Sequence, residues 1–373
     1  MRAQLRAAGV ALSQRDLEGS AEAGRRRDHW LAAGVGLAGA LALALLSSVS
    51  RTEPTPRGDD LIYELIARHP FGVHTFPFGY RVGLPLGVNV LPLDSTTGFR
   101  LLAWIAAGGA GAFAYLLMRE FCRHRALAAS LALLMCISPP FLVVALRNGR
   151  NTDIATVFFM MAATYFVVKR RYVALAGTLL VGVVVREAVL FEVPLAYAVW
   201  SARLLDARAA RRALAVGAPA AAAYVALRLG ISTVGKAQVP GYGGSLVGGR
   251  LTLLRRGLES PWQEARRMFT VYGPYWLLAP LALKDLRFAR CGLVLLALAV
   301  LSMTYATDWG RMILLAAPAF YPATAYVLDR HRGWWLPAVG AAFVLAVGYA
   351  LYMDHSGLQH GIIENPEPRY PVR

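Results

Sequence analysis

Two adjacent carboxylates, Asp59 and Asp60, stand in the segment Gly58-Asp59-Asp60-Leu61-Ile62-Tyr63, just beyond the first long apolar run of the chain. A carboxylate there can take a proton from an attacking hydroxyl, and a neighbouring one can position it or tune it. Farther along, arginines and acids recur together: Arg147, Arg150 and Asp153; Arg186 and Glu187; Asp308 and Arg311. Arginine grips two oxygens at once, so these groups could hold a phosphate. They could equally fasten helix ends as ion pairs. Asp59 has its own structural alternative, as the cap of a helix, and Tyr63 could be an aromatic at a membrane interface.

The elements that must carry these residues are apolar runs. The chain has 373 residues, 57% hydrophobic and 16% charged, with mean hydropathy +0.47, which is too apolar for one soluble domain of this length. A membrane span needs about 20 residues. Spans are predicted at 30–50, 98–118, 126–146, 153–168, 172–185, 188–204, 213–231, 272–283, 291–306, 312–328 and 334–353, about eleven in all. The expected fold is therefore all-α, a polytopic transmembrane bundle.

Orientation follows from the basic residues of short loops. Arg25–Arg27 precede the first span, and Arg119, Arg123 and Arg125 follow the second. Lys169–Arg171, then Arg208, Arg211 and Arg212, then Lys284, Arg287 and Arg290, then Arg330 and Arg332 continue the alternation. Residues 1–29 thus form a cytoplasmic segment, 30–353 the membrane domain, and 354–373 an external tail. The first apolar run lacks a cleavage signal and reads as a retained anchor. The acid and arginine groups above then all fall on the external side. Ionisable groups near hydrocarbon are costly and tend to face a cavity, so one shared external cavity is the economical expectation.

Two external segments, 51–97 and 232–271, are long enough to carry structure. In the first, Leu61, Ile62, Leu65 and Ile66 predict an amphipathic helix lying on the membrane surface. In the second, a glycine-rich stretch lacks the Lys-Ser/Thr ending of a nucleotide-phosphate loop and reads as hinge or lid. A helix start follows at Ser260-Pro261-Trp262-Gln263, with Ser260 as cap and Gln263 returning a bond.

Net charge is +17, and topology accounts for much of it, so nucleic acid is not the expected partner. The unexplained excess is external: Lys236, Arg250, Arg255, Arg256, Arg266 and Arg267. It suits anionic membrane lipids, or else a solvated loop face. Cys122, Cys136 and Cys291 do not fall in external loops, so no disulfide framework is implied. His69 with His74, and His355 with His360, lack a third ligand for a metal.

The motif Asp59-Asp60-Leu61-Ile62-Tyr63, followed by Ala67-Arg68, resembles the first-loop motif of GT-C glycosyltransferases, multispanning enzymes that use polyprenyl-phosphate sugars. Arg186-Glu187, and Asp308-Trp309-Gly310-Arg311 ahead of Pro318, resemble recurrent features of bacterial members. The resemblance extends over the topology of the whole chain, although the soluble external C-terminal domain of many members is here only the tail 354–373. It implies an external site in the cell's inner (plasma) membrane, a polyprenyl-phosphate-linked sugar donor and a lipid or glycan acceptor. Asp59 would be the base and Asp60 its partner, with Tyr63, Arg147, Arg150, Asp153, Arg186, Glu187, Asp308 and Arg311 binding substrate. Family variation leaves a divalent metal (Mg or Mn) on Asp59 and Asp60 open. A transporter or flippase remains the rival class, and a transferase with a His or Ser nucleophile a weaker one.

Overall fold

The computed structural model describes residues 14–48, 59–72, 74–75, 77–234, 255, 258–304 and 309–356. Its described residues are helical almost throughout, as apolar runs must be where no water satisfies the backbone. α1 (Gln14–Ser48) is followed by the short α2 (Asp59–Arg68) and α3 (Gly83–Val90), then by α4 (Ser95–Arg119). α5 (Arg125–Cys136) continues through a Ser138-Pro139-Pro140 break into α6 (Pro139–Leu146). Next come α7 (Asp153–Lys169), α8 (Tyr172–Val185), α9 (Glu192–Trp200) and α10 (Ala207–Gly230). The chain closes with α11 (Pro261–Tyr272), α12 (Tyr275–Leu278), α13 (Arg287–Ser302), α14 (Trp309–Ile313), α15 (Ala317–Arg330) and α16 (Trp335–Ser356).

Helix starts are set by side chains where the sequence supplies them. Asp94 accepts the Thr97 N–H at 3.0 Å and heads α4; Asp206 accepts from Arg208 and Ala209, both at 3.0 Å, and heads α10. α4 packs between α1 and α7, α8 lies against α7, and α10 against α8. The crossing of α1 and α4 depends on glycine. A Cβ at Gly36 would stand 2.5 Å from the Gly108 carbonyl oxygen, so the two backbones touch directly. The segment 309–330, which includes α15, is almost wholly buried, whereas α1, α10 and α16 leave most of their apolar surface bare, as lipid-facing helices would.

Among the described residues, six helical segments are long and apolar enough to cross a membrane by length and composition: 26–48, 95–119, 125–146, 207–230, 309–330 and 332–351. The other five expected spans are helical but shorter. Backbone breaks are the reason, since α7 ends on Arg170 at φ +53°, α8 ends on extended Arg186, and Gly273 at φ +52° divides α11 from α12.

Two local expectations come out differently. α2 does form, but it buries Asp60, Tyr63, Glu64, Ile66 and Ala67 while Leu65 faces outward, so only Ile66 of the expected Leu61, Ile62, Leu65, Ile66 stripe is fully buried, and the inward face mixes two carboxylates with apolar groups. Ser260 precedes α11 without a side-chain cap bond, so the expected capping box does not form. The segments 51–97 and 232–271 meet in a parallel pairing of β1 (His74–Thr75) with β2 (Thr233–Val234), reinforced by Tyr80 Oη to Thr233 Oγ1 at 3.0 Å.

Candidate active site

The site is built where α2 meets the sharp connection between α6 and α7, Arg147-Asn148-Gly149-Arg150-Asn151-Thr152. Asn148 and Gly149 both adopt left-handed conformations, at φ +61° and +68°. Only glycine fits the second of these, because a Cβ at 149 would stand 2.6 Å from the Phe99 carbonyl oxygen. Asn148 is held there by Arg100, whose Nε donates to its Oδ1 at 2.7 Å. This turn aims the two flanking arginines at α2: Arg147 Nε lies 3.2 Å from Asp60 Oδ2, and Arg150 Nε 3.3 Å from Glu64 Oε2. The second contact is a close charge approach rather than an aligned hydrogen bond. Arg150 also donates to Thr96 Oγ1 at 2.9 Å.

A second cluster forms around Asp153 at the head of α7. Arg186, from the end of α8, donates to Asp153 Oδ1, and Arg311, from α14, donates to Oδ2 at 2.6 Å. Arg311 reaches Asn151 Oδ1 as well, at 3.1 Å. One buried carboxylate therefore ties together two arginines from separate parts of the chain. Arg186 does not form the pair expected from its sequence neighbour, because Glu187 instead takes both arms of Arg81, at 2.6 and 3.1 Å; Asp308, the expected partner of Arg311, lies outside the described residues. Burial works to raise the Glu187 carboxyl, but the Arg81 charge outweighs it and holds the group down at about 2, ionised throughout the physiological range.

Tyr63 joins the clusters. It is fully buried, its hydroxyl accepts from Arg81 Nη1 at 3.4 Å and stands 3.3 Å from Thr152 Oγ1, and its ring meets Phe78 edge-on. A tyrosine so enclosed is no interface aromatic. It pins α2 to the residue before Asp153.

Of the sequence-predicted residues, Asp60, Tyr63, Arg147, Arg150, Asp153, Arg186, Glu187 and Arg311 come together in this linked network. Asp59 is the first residue of α2, but its side chain lies outside the described residues, as does Asp308 altogether. Three participants escaped the sequence reading: Glu64, Arg81 and Asn151. Glu64 was detectable, being four residues from Asp60 and so on the same helical face. Arg81 was not, since it follows an irregular Gly- and Pro-containing stretch with no periodic signal. Among the arginines, Arg147 and Arg311 keep some side-chain exposure, 22% and 13%, whereas Arg186 keeps 4%.

Among the described residues, no three His, Cys, Asp or Glu side chains converge as a metal would require. Asp60 and Asp153 are engaged by arginine, and the side chain of Asp59, the other carboxylate of the expected Mg or Mn pair, lies outside the described residues.

No protein-family model matches the chain, and no curated protein does. Among solved structures, it is similar to the crystal structure of the Archaeoglobus fulgidus oligosaccharyltransferase in complex with Zn and sulfate. The TM-score is 0.50 at 15% sequence identity, over 84% of this chain and 53% of that one. The likeness is one of fold. The chain spans about half the length of that protein.

Proposed function

We propose that the chain is an integral membrane glycosyltransferase that moves a sugar from a polyprenyl-phosphate donor to an acceptor hydroxyl on the extracytoplasmic face, with inversion. The observation that carries this reading is the convergence of α2, with Asp59 and Asp60 at its head, on arginines of the α6–α7 turn. Its fold, similar to that of an archaeal oligosaccharyltransferase, supports the same class of reaction.

In the proposed reaction the acceptor oxygen attacks the anomeric carbon, the bond from that carbon to the phosphate oxygen breaks, and polyprenyl phosphate leaves. The acceptor proton passes to an aspartate of α2. Asp60, engaged by Arg147, suits a positioning role, which leaves Asp59 as the base. Negative charge grows on the phosphate as the bond breaks, so a preorganised arginine is worth most at that moment. Arg147 and Arg311, the two partly open ones, are the assigned clamp.

Asp59→Asn and Asp60→Asn separate the roles. Asparagine keeps the shape and most capping capacity but takes no proton, and general-base assistance is worth roughly a hundred- to ten-thousandfold in rate. With a polyprenyl-phosphate sugar donor and protein of unchanged thermal stability, Asp59→Asn should lose activity on that scale. Asp60→Asn should lose less. Wild-type transfer by Asp59→Asn would remove it as the base.

A further inference from the structure

The second external segment ends in α11, whose two faces have opposite character. Toward the protein it buries Glu264, Arg267, Thr270 and Val271. Arg267 donates to Glu264, whose Oε2 also accepts the backbone N–H of Trp309 at 3.4 Å. Away from the protein stand Trp262, Arg266 and Phe269, at i, i+4 and i+7 and thus on one face. Trp262 is 80% exposed and Phe269 50%. An ion pair inside and bare aromatics outside is the reverse of a helix facing water.

The bare row does not stop at α11. Beyond Gly273 it continues into exposed Leu277 and Leu281, on the segment that the sequence reads as a membrane span. Trp276 Nε1 donates to the Met268 carbonyl at 3.0 Å and ties the two pieces across the break. Aromatic rings flanking an arginine, at the end of a lipid-facing row, are what the polar boundary of a bilayer selects: rings settle at that boundary and a guanidinium snorkels to the phosphates. We propose that the outward face of α11 is seated in the outer leaflet, with Trp262 and Phe269 at the acyl boundary and Arg266 on lipid phosphate. This anchoring is independent of the reaction proposed above. Through Glu264 and the Trp309 N–H it fixes the segment that presents Arg311.

The full-length protein in bilayers of brominated lipids tests this. The emission lost in Trp262→Phe, an exposed and conservative change, isolates the Trp262 signal. That signal should be quenched by lipid brominated near the carbonyl end of the chain and spared by aqueous acrylamide. Quenching by acrylamide alone would place the face in water, and quenching by neither would place it against protein; either overturns the proposal. Brominated phosphatidylglycerol should quench more strongly than brominated phosphatidylcholine, by up to about fivefold from one basic residue at an anionic surface. Arg266→Gln should abolish that difference, and equal quenching in the wild type would remove Arg266 from the headgroups.

Discussion

Arg81, Arg147, Arg150, Arg186 and Arg311 each answer to a particular carboxylate, and that pairing decides what each can do for a substrate. Arg186 and Arg311 share Asp153, yet they differ in reach: Arg186 is enclosed, while Arg311 is partly open and also touches Asn151. An arriving phosphate would compete with Asp153 for Arg311 and not for Arg186. Substitution should split them accordingly. Arg311→Lys should keep part of the activity, because an ammonium lacks the bidentate fork, and Arg311→Ala should lose most of it in a protein of near-normal stability. Arg186→Ala should instead lower thermal stability, since breaking a buried pair costs about 3–5 kcal/mol. Steady-state kinetics beside thermal unfolding read the split, and full activity with normal protein levels for Arg311→Ala would return it to structural pairing.

At the scale of elements, the α6–α7 turn is the part that turns sequence into a site. Arg147 and Arg150 were readable as functional candidates from charge and topology, but their partners were not, because the turn that aims them depends on two left-handed residues and on Arg100 from α4. The same limit explains α2. Adjacent Asp59 and Asp60 read as a pair on paper, whereas a helix turns by about 100° per residue, so Asp60 shares its face with Tyr63 and Glu64. Arg81 illustrates the remaining gap: its bond to Glu187 spans 106 positions in sequence, and no local pattern foretells it. Gly149→Ala tests the turn. Left-handed backbone costs a non-glycine residue roughly 1–2 kcal/mol, and relief of the contact with Phe99 would displace both arginines. Activity should fall much further than stability does, and transfer at the wild-type rate would show that the turn's geometry is not needed.

For the whole molecule, hydropathy located the helices, and basic residues supply an expected sense of travel. Among the described residues six segments have the length and apolarity to cross, and the other expected spans are shorter helices, several of them ending at breaks such as Arg170, Arg186 and Gly273. Two of those breaks, at Arg186 and Gly273, lie toward the end of the bundle where the arginines and acids gather, so short segments help bring polar groups to one face. A shared site requires that face to be external as a unit. Phe71→Cys and Leu258→Cys, both at exposed positions of the external segments, should therefore react with an impermeant thiol reagent in intact cells. Arg171→Cys, also exposed but in a basic loop, should react only after the membrane is opened. Labelling of Arg171→Cys in intact cells, or protection of Phe71→Cys there, would undo the reading of an extracytoplasmic site.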